Sequence, residues 1–368
     1  MTTTARRTLG VSAALVLLAM GPAALAAVPE EDGLNPGAAI RLSTGYLGYG
    51  ASEGWQDPDV ELLRASLAGR RGSFVFSTQY RWYDGFEAVH HAWFGFSPDA
   101  DRDLRIGIQQ VPQGLLPFAS HSFWFGSGYY IGLEDDYDLG VVWRDERGDR
   151  SWHAGVFFRD EYGTGANFGR YSFDIATTPA LPYREREHLV IRHERRSGHG
   201  DWALAWGATA VLGRIENRED GRTHAHRAAT VHLQGVQGPW TLQGQWTRYD
   251  YRNPEERVAI AAFQFPFEVA ARADVLTANL VRELPPGGWL DSLGCYNNYS
   301  TTLASGPGLA NSQQNVTGCS LGKGPMFTYV DLIAGRNMTF VGGPGVGIFE
   351  PGGDRWRWRL NINVGFYF

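Results

Sequence analysis

The chain has 368 residues, 33 basic and 39 acidic side chains, a formal net charge of −6 and two cysteines. With no basic tail and no basic patch interleaved with aromatics, nucleic acid is excluded as a partner. Negative mean hydropathy does not exclude a membrane protein, because half of every strand in a membrane barrel faces water.

The amino-terminus carries Arg6 and Arg7, then an uncharged apolar run from Leu9 to Met20, then Ala24-Leu25-Ala26. This order is that of a secretory signal peptide over residues 1–26. The apolar run is shorter than the about 20 residues that a bilayer-spanning helix needs. Residues 27–368 then form one domain, with no linker of Pro, Gly and Ser to divide it.

From Ala38 onward the pattern is that of strands. Leu63, Ala65 and Leu67 alternate with Arg64 and Ser66, and Phe74, Phe76, Tyr80 and Trp82 alternate with Ser77, Gln79 and Arg81. Asp84-Gly85 is a two-residue hairpin signal. Phe86–Ser97 and a fifth strand with Leu104, Ile106 and Ile108 outward and Arg105 and Gln109 inward follow. Gln110 to Tyr137 then interrupts the rhythm with Pro112, Gly114, Pro117, Gly126 and Gly128. A loop of that length in an all-strand chain is functional or disordered, and its aromatics predict packing.

Strands resume at Asp138–Arg144 and Ser151–Arg159, and a second long loop runs from Asp160 to about Glu187. Further strands are predicted at His188–Arg195, Asp201–Ile215, Thr223–Val236, Trp240–Tyr251, Ala270–Glu283 and Trp289–Ser300. Arg252–Val269 is ambiguous, since Pro266 interrupts a possible strand at Ala261–Phe267. Thr301–Gly324 reads as a loop closed by a Cys295–Cys319 disulfide, as befits an exported protein. Pro325–Ile333 and Met338–Gly345 precede the last strand.

That last strand, Arg355–Phe368, has the cleanest parity. Trp356, Trp358, Leu360, Ile362, Val364, Phe366 and Phe368 alternate with Arg357, Arg359, Asn361, Asn363, Gly365 and Tyr367. Side chains alternate between two faces of a strand. One face is thus long, apolar and aromatic, the other wet. Repeated along the chain, this predicts an all-β fold: a transmembrane antiparallel β-barrel of about 16 strands, lipid outside and water inside. Connections after even strands are short and most after odd strands are long, as two rims of a bacterial outer-membrane barrel require. The aromatic end resembles the assembly signal of such barrels. The tryptophans fit interfacial girdles.

An arginine facing lipid at mid-bilayer costs roughly 2–4 kcal/mol. Parity therefore places Arg64, Arg81, Arg105, Arg144, Arg159, Arg192, Arg357 and Arg359 on the inner wall. The long loop ends in Glu134, Asp135 and Asp136. Folded inward, it sets these acids against the arginines and builds a constriction.

Leu104-Arg105-Ile106-Gly107-Ile108-Gln109-Gln110-Val111-Pro112-Gln113-Gly114, with Asp138-Leu139-Gly140-Val141, resembles the fifth and sixth strands of the phosphate-selective porin family. The resemblance implies an outer-membrane porin with an inward-folding constriction loop, commonly a homotrimer, passing small hydrophilic solutes and anions. The chain departs from the family at Gln110 and Gln113, where Lys and Phe are expected, and Lys323 is its only lysine. Weak anion preference without a tight phosphate site is the expectation. No enzyme is expected: Phe125-Gly126-Ser127-Gly128 lacks the spacing of a nucleophile elbow. Nor is a metal or cofactor expected. His90 and His91 are placed on opposite faces of their strand, and His224 and His226 share a face without an evident third ligand.

Overall fold

The computed structural model describes residues 28–161 and 168–368. The expected signal peptide lies outside the described residues. Among the described residues there are twenty strands: β1 (Gly33–Leu47), β2 (Gly54–Arg71), β3 (Phe74–Tyr83), β4 (Phe86–Phe96), β5 (Arg102–Gln110), β6 (Tyr137–Asp145), β7 (Arg150–Asp160), β8 (Asp174–Ile175), β9 (Tyr183–His199), β10 (Trp202–Asn217), β11 (Thr223–Gln237), β12 (Trp240–Tyr251), β13 (Arg257–Ala262), β14 (Phe265–Ala270), β15 (Arg272–Leu284), β16 (Ser292–Ala304), β17 (Ser312–Lys323), β18 (Met326–Arg336), β19 (Gly345–Val346) and β20 (Trp356–Tyr367).

Sixteen of them close an antiparallel barrel, each paired with its neighbour along the chain. Closure pairs β1 with β20, and Ala38 and Phe368 exchange backbone hydrogen bonds of 2.9 and 2.8 Å beside it. Closure leaves no edge strand, the condition for strands in hydrocarbon. Outward side chains include Ile40, Leu42, Ile106, Ile191, Leu233 and Leu332, all at least 40% exposed. Inward ones are polar and buried: Ser77, Gln79, Thr209, Thr230, Gln245, Asn279 and Ser300. Tyr46 stacks on Trp358 with ring centroids 5.4 Å apart near the long-loop rim, and Phe74 meets Phe96 at 5.9 Å near the other. The outer surface is thus an apolar band with aromatic margins, which is the surface that lipid demands.

One rim carries tight turns, such as Gly72 and Gly238 at positive φ (58° and 52°) between β2 and β3 and between β11 and β12. The other carries the long connections, which turn inward. Four short strands from three of them form a second sheet in the order β19-β14-β13-β8. The ambiguous stretch is therefore the β13–β14 hairpin, with Pro266 opposite Ala261 in its ladder. A buried apolar cluster of Ile131, Ile175, Ile260, Val269, Met338 and Val346 lies between these loops.

The barrel count agrees with expectation through two errors that cancel. Thr301–Gly324 is not a loop: it holds β17, paired over its length with β16 and β18. Cys295 and Cys319 are bonded and stand directly opposite each other, so the disulfide crosses a ladder rather than closing a loop. Met338–Gly345 adds no wall strand; it ends in β19 of the inner sheet.

Candidate functional site: the constriction

Residues 111–136 leave β5, cross the interior and bind the opposite wall. The Gly114 and Leu115 N–H groups donate to Thr209 Oγ1 (3.1 Å) and Gln245 Oε1 (2.8 Å). Farther on, the Phe123 and Ser127 N–H groups donate to Asp331 Oδ2 (3.2 Å) and Ser300 Oγ (2.8 Å). Arg192, Asn279 and Gln314 donate to the carbonyls of Gly114, Ala119 and Phe125. A buried loop needs such partners for its backbone. They explain why the inward faces of β10, β12, β15, β16 and β17 carry Thr, Gln, Asn and Ser.

What the loop leaves open is a cavity of about 310 Å³. One side is Arg41 of β1, Arg64 of β2, Arg81 of β3 and His90 of β4. The other is aromatic, with Phe118, Phe123, Trp124, Tyr129 and Tyr130 from the loop. Tyr171, Phe173, Phe263, Phe265 and Phe340 of the other inward connections also line it. The cations stack on rings: Arg41 lies 4.8 Å from the Phe123 centroid, Arg64 5.1 Å from Tyr367 and Arg81 4.3 Å from Tyr171. Such contacts hold a guanidinium against a low-dielectric wall without neutralising it.

The three acids at the loop end diverge. Asp135 alone turns toward the arginines: it accepts from Tyr171 Oη at 2.5 Å, and Tyr171 lies beneath Arg81. Burial raises its pKa to about 6, opposed by the Tyr171 hydroxyl and Arg81. Glu134 faces away, accepting from Gln245 Nε2 (2.8 Å) and the Ala119 N–H (3.0 Å). Burial pushes it up to about 7, against the Ala119 hydrogen bond. Asp136 joins other carboxyls beyond the aromatic lining, where burial and the nearby Glu185 and Glu161 raise it well above the usual range. Of the three acids expected to face the arginine wall, Asp135 alone turns toward it, and it reaches Arg81 through the Tyr171 ring rather than by an ion pair.

The inward arginines fall into groups. Arg64 and Arg81 line the cavity. Arg105, Arg144 and Arg192 lie nearer the short-turn rim with acidic partners, Asp103 (2.9 Å), Glu146 (2.5 Å) and Glu194 (2.5 Å) respectively. Arg359 stacks over Trp124 at 4.3 Å and donates to the Phe340 carbonyl (3.2 Å), while Arg357 donates to the Gly342 carbonyl. Arg159 departs from expectation. A bulge at Phe158 leaves Leu139 opposite Arg159 and Gly140 opposite Phe157. The extra residue reverses parity, so Arg159 is exposed.

A second bulge overturns the reading of His90 and His91. Gln79 pairs with His91 and Tyr80 with Val89, leaving His90 extra. Both rings are buried inside, their Nδ1 atoms 2.9 Å apart. The sequence expectation omits Arg41, which lines the cavity and has the inward parity of its strand, and its partner Glu61. Glu61, which accepts from Arg41 at 2.6 Å and from Asn363 at 2.5 Å, could be placed only by the register of β1, β2 and β20.

No family model matches the chain, and no curated protein matches it. Solved structures do. The outer membrane channel DcaP of Acinetobacter baumannii aligns with a TM-score of 0.63 at 10% identity, over 91% of this chain and 97% of that one. OprB of Pseudomonas putida aligns at 0.59 and 8% identity, over 92% and 94%. An anion-selective porin from Comamonas acidovorans aligns at 0.58 and 11% identity, over 92% and 100%. At such identities the likeness is one of fold: this chain has the barrel architecture of outer-membrane channels.

Proposed function

We propose that the protein is an outer-membrane porin, through which small solutes diffuse past the arginine-walled cavity beneath the constriction loop. The observation that carries this reading is the loop crossing itself. It is clasped to the far wall at both ends of its path, yet it leaves Arg41, Arg64 and Arg81 facing a gap. Charge at a constriction governs ion passage more than the charge of the whole molecule does. Here three guanidiniums meet Glu61 and Asp135, so weak anion preference is the expected sign. The likeness to an anion-selective porin is consistent with that sign.

A tight phosphate site is a poorer fit. The one lysine, Lys323, sits by the short-turn rim, paired with Asp291 at 2.7 Å. The aromatic lining favours instead anions that carry an apolar body, since rings can slide over rings while a carboxylate passes between guanidiniums.

The inner sheet and its apolar cluster favour a second reading, a plugged structural barrel. Single-channel recording in planar bilayers separates the two. A porin gives stepwise current that grows when 115–128 are deleted, because these residues fill the lumen. A barrel without current before and after the deletion is plugged by the other loops.

Assembly with further copies, a homotrimer by the family resemblance, finds support on the outer face of β16 and β17. There Asn297 donates to Asn315 Oδ1 (3.0 Å) and Thr317 Oγ1 (2.7 Å), and Gln313 to Tyr299 Oη (2.8 Å). Amides facing lipid are unfavourable, so this face suits protein contact.

A further inference from the structure

Behind the aromatic lining, where the constriction loop enters β6, lies a group of buried carboxyls from two stretches far apart in the chain. Asp136 ends the loop, Asp138 begins the wall, and Asp174 belongs to β8 of the inner sheet. Each offers an oxygen, and the three oxygens lie within 4.8 Å of one another. Asp160, Glu161 and Glu185 are also close by and buried. Among the described residues one guanidinium answers them. Arg170 Nη1 is 2.8 Å from Asp160 Oδ2 and 3.6 Å from Asp174 Oδ2.

A cluster of acids alone would be weak grounds for a site. The second observation is Asp138. It is fully buried, and neither of its carboxylate oxygens has a hydrogen-bond partner among the described residues. His188 Nε2 approaches Oδ2 only to 3.6 Å. Asp136 Oδ1 and Asp174 Oδ2 are likewise without hydrogen bonds. Buried carboxylates normally accept several. Buried carboxyl oxygens that converge and lack donors suit a cation between them.

We propose that Asp136, Asp138 and Asp174 hold a divalent cation of the hard, Ca²⁺ type. All three donors are oxygens, the preference of such ions. With metal–oxygen distances of about 2.3–2.6 Å, ligands on opposite sides of one ion lie up to about 5 Å apart, which the observed spacing meets. Carboxylates shared between segments make the ion a staple. It ties the end of the constriction loop to the wall and to the inner sheet, and so fixes the aromatic side of the cavity. Asp174 is far from Asp136 and Asp138 in the chain, so the set carries no spacing signature in the sequence, where no metal is expected. Asp138 also belongs to a second set with Glu185 and His188, whose imidazole suits a transition metal instead.

The test uses the full barrel refolded in detergent free of lipopolysaccharide and treated with EDTA. Its thermal unfolding is followed in CaCl₂, in ZnCl₂ and in NaCl of equal ionic strength. Ca²⁺ at about a hundred times its dissociation constant should raise the midpoint by roughly 4 °C. Asp138→Asn and Asp174→Asn should each abolish that rise. Asp174 lies outside the barrel wall, so its variant remains readable if Asp138→Asn does not fold. Tb³⁺ luminescence should saturate in the wild type, be displaced by Ca²⁺ and be lost in Asp174→Asn. No response of the wild type to either metal overturns the proposal. A response to Zn²⁺ alone, removed by His188→Gln, overturns the oxygen-ligand assignment. A Ca²⁺ rise that survives both Asp variants places the ion elsewhere and overturns it equally.

Discussion

Arg64 and Arg81 stand directly opposite each other across β2 and β3, both pointing into the lumen. Like charges in that relation destabilise a sheet, and each guanidinium lies over an aromatic ring, Arg64 over Tyr367 and Arg81 over Tyr171. Arg81 donates to Gln79 Oε1 (2.7 Å) and to Tyr83 Oη (3.3 Å). Two positive charges are thus held side by side at the constriction. Changing both to Gln should reduce anion preference, read as a shift of the reversal potential toward zero in a KCl gradient. Wild-type cation preference that the double variant does not move would reject the arginine wall as the filter.

Arg41 differs in having Glu61 at 2.6 Å. Glu61→Gln removes that neutralising charge while keeping the hydrogen-bond acceptor for Arg41. The expected outcome is stronger anion preference with little change in conductance at high salt, where a Debye length of about 3 Å at 1 M screens the difference. An unchanged reversal potential at low salt would place the ion path away from β1.

Gln245 clasps the loop twice, accepting from the Leu115 N–H and donating to Glu134, each at 2.8 Å. Gln245→Leu keeps much of the volume and leaves both loop groups unpaired, at about 1–3 kcal/mol each. The barrel should still fold, since its ladder is untouched, and single-channel traces should show added closures or open-state noise. Quiet wild-type-like traces would mean that the loop does not depend on this clasp.

Leu360 and Leu332 are neighbours on the outer face of β20 and β18, whereas Asn361 faces Asp331 inside. Leu360→Arg or Leu332→Arg puts charge into lipid and should lose about 2–4 kcal/mol near the midplane. Asn361→Arg sets the same charge beside a carboxylate and should assemble. Heat-modifiable migration on gels reads all three, and equal loss in all would reverse the face assignment.

The polar outer patch makes its own forecast. Asn297→Leu with Asn315→Leu turns that face into an ordinary lipid surface. If copies meet there, light scattering in detergent should show a fall from oligomer to monomer while the barrel remains folded. An oligomer that survives the double change meets through another face.

The alternation of the chain determined most of the wall. Where one face meets lipid and the other water, each strand repeats with period two, and the order of neighbours follows from hairpins. Thus Arg355–Phe368 declared both its faces, and the short and long connections declared the two rims. β17 is hidden in the sequence because its outward residues Gln313, Asn315 and Thr317 are polar like its inward ones, so the contrast between faces vanishes. Bulges at His90 and Phe158 depend on the partner strand, and each moves a side chain across the wall against the parity of its own strand. The inward sheet, the aromatic half of the cavity and the Asp136–Asp138–Asp174 cluster join segments far apart in the chain. Their contacts arise only once closure brings the long loops into one enclosed space, and no local period encodes that meeting.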